Sequence, residues 1–397
     1  MGALCALGDH PHAIYDALCE GRSHFGPPTL FEGDVAPGYQ VAEVRDFAPQ
    51  QYVKTGNVRP LDRTGRLALV GVELALADSG WTGERRATQA VGLILGTMFC
   101  SVRTIGEFDR RAQQAGPEYA SPLDFSNTVL NAAAGQVAIW QRLRGVNTTI
   151  ATGATSGLHA IGYAAQLIRS GRADVLVAGG AEEICYESFY GFYRASRLAP
   201  PSNGAPGTVA PFDIARTGTA MGEGAAFLVL EAEEAAQARG ARILARVAGF
   251  GNAFDPDTHE ERPPRRNALT GAIAHALADA GINAGDIGAV VSSASGSRSL
   301  DAREGAGISA TVGPTVPVTA IKSMTGEALG ASGALQALAA VEALRGGRLP
   351  GVAGLMRADP TIALAVSAET RPVRATRALV TTIAPEGNCC AVVLTID

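Results

Sequence analysis

Residues 147–172, NTTIATGATSGLHAIGYAAQLIRSGR, carry the clearest chemical signal in the chain. An apolar, β-branched run from Asn147 to Thr152 ends in the small-residue turn Gly153-Ala154-Thr155-Ser156-Gly157, and a helix-like stretch follows from Leu158 to Ser170. A strand that turns sharply into a buried helix aims the first helical amides at whatever side chain sits on the turn. That geometry lowers the pKa of a thiol and stabilises its thiolate, so enzymes use it to present a nucleophile. Here the tip of the turn is Ala154, which has no thiol, hydroxyl or proton to give. Ser156 does not substitute for it: the turn is not a GxSxG elbow, no histidine is placed to act as base, and the residue is expected to cap the helix.

The other reactive side chains form no second centre. The cysteines, Cys5, Cys19, Cys100, Cys185, Cys389 and Cys390, make no CxxC pair and fit neither a zinc site nor a disulfide framework, so they read as free thiols. The histidines, His10, His12, His24, His159, His259 and His275, sit in no recognisable catalytic loop, and His159 reads as a packing residue of the helix after the turn. Lysine and arginine total 33, yet the only lysines are Lys54 and Lys322. A lysine kept against that bias suggests a site that needs a compact ammonium rather than a planar fork. No metal or cofactor is expected.

The elements that must position these groups follow an α/β rhythm. The chain has 397 residues, 47% apolar and only 6% aromatic, with 48 glycines, which suits tight strand–helix turns and close helix packing. A net charge of −5 argues against nucleic acid as a partner. No apolar run is long enough for a membrane span and no signal peptide is recognisable, so a soluble cytoplasmic protein is the default expectation. Pro11–Glu20 reads as a helix, and Asp62–Ser79 as another, with Leu67, Val70, Leu74 and Ala77 at helical spacing. Val91–Gly96 reads as a buried strand, and Ser126–Gln141 as a small-residue helix. A strand at Asp174–Ala178 is expected to end in a turn at Gly179-Gly180, and 185–221 reads as a long loop. Phe99, Val102, Ile105 and Phe108 recur every three residues, which predicts a helix with one apolar face turned to the core. Later come a polar insert at 252–266, a helix at 268–280, strands at 287–292 and 316–320, and a C-terminal hairpin.

The chain also repeats itself. Ser156-Gly157 followed by a helix ending Arg169-Ser170-Gly171-Arg172 echoes Ser332-Gly333 followed by a helix ending Arg345-Gly346-Gly347-Arg348, and GEGAAFLVLE (222–231) echoes EGNCCAVVLTI (386–396). This predicts a duplicated α/β unit, with halves at 1–235 and 236–397 and the two central helices packed together.

TIATGATSGLHAIGYA, DVLVAGGAE, PFDIARTGTAMGEGAAFLVLE and IKSMTGEALGASGA together resemble the β-ketoacyl synthases of fatty-acid and polyketide assembly, in motif order and over nearly the whole chain. The resemblance implies a thiolase-like five-layer αβαβα sandwich built from two duplicated halves, and a dimer formed around the strand at 147–152. It implies a first strand largely missing before Gly2. It also locates the family's catalytic residues. The nucleophilic cysteine of the T-A-C-T/S-S motif falls on Ala154, the histidine of the H-G-T loop on Ser295, and the histidine of the K-S-x-x-G-H motif on Glu327. The terminal G-F-G-G-T-N loop is replaced by Ala384-Pro385-Glu386-Gly387-Asn388-Cys389, whereas Lys322 and Glu223 match. Condensation needs a thiolate to hold the acyl chain and imidazole N–H groups to stabilise the developing oxyanion, and this chain has neither at the matching positions. The expected partner of Lys322 is a buried carboxylate such as Glu223, with a direct pair to Glu327 across the turn also open.

Within the family such a chain resembles the chain-length factor, or ketosynthase β subunit, of type II polyketide synthases, which pairs with an active ketosynthase α subunit. Alanine in place of the glutamine of the aromatic-polyketide members fits a polyene or other less usual pathway. By motif spacing, the resemblance implies that Phe99, Val102, Ile105 and Phe108 gate the length of the acyl tunnel and that Phe125 and Thr128 line the adjoining wall. The chain itself would carry no catalytic residue, and an acyl carrier protein would deliver its phosphopantetheine-bound chain mainly through the partner. Arg59, Arg63 and Arg66, or Arg265 and Arg266, are candidate docking charges for that acidic carrier. Two other classes stay open here: a divergent enzyme, such as a malonyl-thioester decarboxylase or an acyltransferase using Ser295 or Glu327, and a homodimer that binds acyl thioesters without reacting.

Overall fold

The computed structural model describes residues 1–31, 36–53, 58–256 and 267–396. Its first half contains β1 (Gly2–Cys5), β2 (Gly92–Gly96), β3 (Asn147–Ile150), β4 (Val175–Glu182) and β5 (Gly224–Glu231), arranged as one five-stranded sheet in the order β1-β5-β4-β2-β3. The second half contains β6 (Arg246–Phe254), β7 (Ala289–Val291), β8 (Pro317–Thr319), β9 (Ala365–Val366), β10 (Arg377–Ile383) and β11 (Asn388–Thr395), in the order β6-β11-β10-β7-β8-β9. The two orders superpose strand for strand, β1 on β6 through β3 on β8. The directions match as well: β5 and β11 are antiparallel to both neighbours, and the remaining contacts are parallel. Among the described strands of the two sheets, only β9 has no counterpart.

The longer helices among the described residues are α1 (Pro11–Cys19), α2 (Arg63–Asp78), α3 (Val102–Ala115), α4 (Ala132–Gln141), α5 (Ser156–Arg169), α6 (Tyr186–Arg194), α7 (Ala268–Ala280), α8 (Arg298–Val312) and α9 (Ser332–Gly346). Strand alternation assigns each side chain to a layer. Leu93 and Leu95 face outward onto α2 and α4, while Ile94 faces inward onto α5 and α9. In the second sheet, Ala289 and Val291 face that same central layer, and Val290 faces α7 and α8. The result is helix, sheet, helix pair, sheet, helix: the five-layer αβαβα sandwich.

The central helices touch backbone to backbone. A Cβ added at Gly157 would lie 2.3 Å from the Gly330 carbonyl oxygen, and one at Gly333 would lie 2.6 Å from the Leu158 nitrogen. The same closeness corrects the expected turn at Gly179-Gly180, which lies inside β4. A Cβ there would meet the carbonyls of Ala226 and Gly330 at 2.0 Å each, so glycine here makes room rather than a bend.

Other expectations shift in detail. The small-residue helix begins at Ala132 rather than Ser126, and 185–221 contains the aromatic helix α6. Gly2–Cys5 forms a strand paired with β5. The expected polar insert at 252–266 opens with the end of β6, and its residues 257–266 lie outside the described residues. Among the described residues no helix is long and apolar enough to cross a membrane.

Candidate functional site

The strand β3 delivers the chain to Gly153, whose φ of 69° turns it back so that α5 starts two residues after Ala154. Ala154 is 5% exposed. The Ser156 hydroxyl does not cap the helix as expected. It donates to the Gly153 carbonyl at 2.6 Å and accepts from the Thr152 amide at 2.9 Å, so it ties the turn to the strand. Thr155 donates to the Thr152 carbonyl at 2.7 Å, and neither hydroxyl satisfies the first amides of α5. The replaced terminal loop closes over this turn: a Cβ at Gly153 would sit 2.8 Å from a Glu386 carboxylate oxygen and 3.4 Å from the Ala384 methyl.

The position matched to the second histidine holds an ion pair. Lys322 Nζ donates to Glu327 Oε2 at 2.6 Å, with 2% and 9% of the two side chains exposed. Glu327 Oε1 accepts from the Leu329 amide at 3.0 Å and from the Ser332 hydroxyl at 2.8 Å. Its backbone is pinned as well, exchanging bonds with Ala220 and Gly222. Both carboxylate oxygens of Glu327 are thus engaged, Oε2 by Lys322 and Oε1 by Leu329 and Ser332.

Glu223 is therefore not the partner of Lys322. Glu223 is fully buried and takes a two-pronged bond from Arg63 at 2.6 and 2.8 Å, with the amides of Val44 and Ile184 completing its shell. A planar guanidinium suits a bidentate carboxylate, and a lysine would fill only one prong. This also withdraws Arg63 from the candidate docking charges. Arg66 is turned back onto the carbonyls of Val58 and Arg59. Arg59, Arg63, Arg66 and Arg103 line one cavity of about 620 Å³ beside Glu183. Arg265 and Arg266 lie outside the described residues.

Ser295 is held by its backbone. Asp301 accepts from the amides of Ser295, Gly296 and Phe212 at 3.0, 3.1 and 3.0 Å. Three residues on, Glu304 accepts from Ser293 and Thr381. Described histidines lie elsewhere, His159 packing against Phe250 with ring centres 5.4 Å apart, as its helix position suggested. The cysteines are free; burial pushes the Cys100 and Cys185 thiols up to about 12, which keeps them protonated and inert.

Several buried carboxyls went unmarked in the sequence, Glu183 among them, which burial raises well above the usual carboxylate range. Burial raises Glu182 to about 7, Glu304 to about 7 and Asp301 to about 6, despite the donors around each. The signal was available: Glu182 ends the quoted DVLVAGGAE strand, and Asp301 and Glu304 are one helical turn apart just after Gly296. A carboxyl raised on folding holds its proton more tightly in the folded chain. Its contribution to stability is complete below about pH 4, the unfolded value, and is lost as pH rises through the folded value. We expect the denaturation midpoint to fall between about pH 5 and about pH 8, and Glu304→Gln to flatten that slope. A midpoint that is flat or rising over this interval in the parent chain would contradict the assignment.

The candidate gate divides in two. Phe99 precedes α3 and packs with Phe189, Leu198, Met221 and Leu329, against the loop that follows Glu327. Val102, Ile105 and Phe108 share the apolar face of α3, which buries no residue, and Ile105 is 39% exposed. The expected core packing of this face is met only in part: Val102 and Phe108 are half-buried and Ile105 is exposed. Phe108 meets Phe125 with ring centres 5.9 Å apart, Phe125 is itself 61% exposed, and Thr128 donates to the Phe125 carbonyl at 2.8 Å. Arg110–Glu187 and Arg111–Asp124 hold α3 to α6 and to the Pro122–Phe125 turn.

Comparisons with known proteins agree with this architecture. The family model "Beta-ketoacyl synthase, N-terminal domain" matches residues 1–236, and "Beta-ketoacyl synthase, C-terminal domain" matches 244–356. The chain is 32% identical over 364 residues to the 3-oxoacyl-[acyl-carrier-protein] synthase 2 of Coxiella burnetii, covering 90% of this chain and 88% of that one. It is 31% identical to the oxytetracycline polyketide putative beta-ketoacyl synthase 1 of Streptomyces rimosus, covering 87% and 84%. Among solved structures, a chain of the ishigamide ketosynthase/chain length factor superposes with a TM-score of 0.92 at 29% identity, covering 100% of this chain and 97% of that one. The two family models match both halves of the chain, and the chain belongs to the β-ketoacyl synthase family.

Proposed function

We propose that this chain is a non-condensing ketosynthase-like subunit of the chain-length-factor type, which pairs with an active ketosynthase and shapes the tunnel that sets polyketide or polyene length. One observation carries the reading. The nucleophile turn ends in the methyl group of Ala154, and the carboxylate at the second histidine's position is spent on Lys322, Leu329 and Ser332. Relatives named as 3-oxoacyl synthases share the fold, but the reaction in that name needs groups this chain does not present. The partly exposed apolar face of α3 and the open edge of β3 support a partner, as does the likeness to the ishigamide ketosynthase/chain length factor. In this reading the halves divide at residue 235, the partner holds the acyl chain as a thioester, and the acyl carrier protein docks mainly on the partner.

The test is co-expression with the ketosynthase encoded beside it, followed by native mass spectrometry. A one-to-one complex is expected, with this chain aggregated or insoluble when expressed alone. A soluble homodimer indifferent to that ketosynthase would overturn the proposal. Ala154→Cys supplies a second check. Condensation by this subunit should stay on the order of 10⁴-fold or more below that of an intact ketosynthase, because restoring the thiol leaves both oxyanion donors missing. Recovery of condensation in the single variant would return the chain to the enzymes.

A further inference from the structure

The loop matched to the family's catalytic lysine and histidine connects physically to the start of α3. The connection runs through Glu182, at the end of β4. This carboxylate is fully buried and accepts five bonds. Oε1 takes the Thr97 hydroxyl at 3.0 Å and the amides of Phe99 and Cys100 at 3.0 and 2.9 Å. Oε2 takes the Met98 amide at 2.6 Å and, from the other half of the chain, the Gly330 amide at 3.1 Å. Gly330 follows Leu329, whose amide is bound by Glu327, which is paired with Lys322. From Lys322 to Cys100 the path is thus unbroken: ammonium, carboxylate, amide, peptide, amide, carboxylate, three amides.

A second feature marks the same path. Cys100 and Leu329 both carry left-handed backbone, with φ of 49° and 47°. Neither is glycine, and both are essentially fully buried. Such conformations cost about 1–3 kcal/mol each and persist only where the surroundings over-determine them. Both residues are held by a carboxylate: Glu182, together with the Thr97 hydroxyl, accepts from the Cys100 amide, and Glu327 accepts from the Leu329 amide. The helix that leaves this segment begins two residues after Cys100.

We propose that Lys322, Glu327 and Glu182 form one brace that fixes residues 97–102, so that the loop matched to the catalytic loop serves here as the anchor of the length gate. Glu182 and Glu327 are then positioning residues, acting on product length through the placement of Val102 and the rest of α3. A neutral histidine in place of Glu327 has a single acceptor nitrogen and cannot accept from Lys322, Leu329 and Ser332 together. Glutamate can, and that gives its presence here a physical reason. The inference rests on the chain-length reading above.

The test uses the complex with the co-expressed ketosynthase and three variants: Glu182→Gln, Glu327→His, and Leu277→Ala as a cavity control in the far outer layer on α7. In Glu182→Gln, the side-chain amide nitrogen must face backbone donors whichever way it is turned. Hydrogen exchange at the amides of 98–100 and 330 should therefore speed up by about tenfold or more in Glu182→Gln, and at 329–330 in Glu327→His, but not in Leu277→Ala. This readout needs no product and no partner chemistry. Both brace variants should also spread the product distribution by at least one extension unit, while Leu277→Ala, though destabilised, keeps the parental distribution. Unchanged exchange at these amides would overturn the brace, whatever the products do. Faster exchange with unchanged products from an intact, turning-over complex would overturn its role in length. A parent chain that forms no complex would instead sink the chain-length reading, while the exchange result still decides whether the brace exists.

Discussion

Shortening Phe108 to alanine in a working complex is expected to move the principal product upward by at least one extension unit, with Ile105→Ala and Val102→Ala acting in the same direction. The three side chains lie along one face of α3, and none of them is fully buried within this chain. Phe108 is the bulkiest of them and is backed by Phe125 at 5.9 Å. A wall that forbids one more unit must oppose it with overlap worth about 1–3 kcal/mol per methylene-sized group, so removing the ring should change the ratio of neighbouring chain lengths by about tenfold or more. Chromatography with mass detection of products from matched amounts of complex decides it. A parental distribution from all three variants would remove α3 from the gate. Phe99 is expected to behave differently: it packs under Leu329 rather than on the open face, so Phe99→Ala should lower stability before it lengthens product.

A large loss of stability is expected from Gly157→Ala. The added methyl would sit 2.3 Å from the Gly330 carbonyl oxygen, and the atom in the way is backbone at the contact between the two central helices. No rotamer relieves that overlap. The helices must separate, and with them the two halves of the sandwich. A cost above about 3 kcal/mol follows, beyond the usual range for an overpacked core, with a fall in apparent Tm of about 4 °C or more, or failure to accumulate. Gly191→Ala is the contrast. It lies inside α6 with nothing within 4 Å of the added carbon, so it should be neutral or slightly stabilising through helix propensity. Equal behaviour of the two variants would mean that the central contact is not what closes the molecule.

Much of the fold was legible because the chain states it twice. The helix expected at 268–280 has those bounds, the C-terminal hairpin is β10 and β11, and the paired central helices meet at Gly157 and Gly333, the glycines that carried the repeat. Local pattern misled where the deciding neighbour is distant in sequence. Gly179-Gly180 reads as a turn because nothing local shows the carbonyls of Ala226 and Gly330 pressing on it. Phe99 joined the row of α3 because a three-residue spacing says nothing about where a helix begins. The apolar face of α3 reads as core because periodicity reveals a face and not what covers it. At the site, lysine usage marked Lys322 as a residue with a partner, but the choice between Glu223 and Glu327 lay with Arg63, 160 positions from Glu223 and better shaped for it. α6 was missed although Tyr186, Phe189, Tyr190 and Tyr193 recur at helical spacing, because the prolines and glycines of 200–207 drew the whole of 185–221 into one loop.

The two sheets share one strand order, but their equivalent ends differ: β8 is covered by β9, and β3 has no described strand beside it. Duplication would otherwise have produced two interchangeable sticky ends on one molecule. A building block with two such ends adds to itself without limit and gives a fibre. With the β8 edge covered by Ala365–Val366, the two equivalent ends of the duplicated sheets are no longer interchangeable, and a copy added at β3 would not find a matching bare edge at β8.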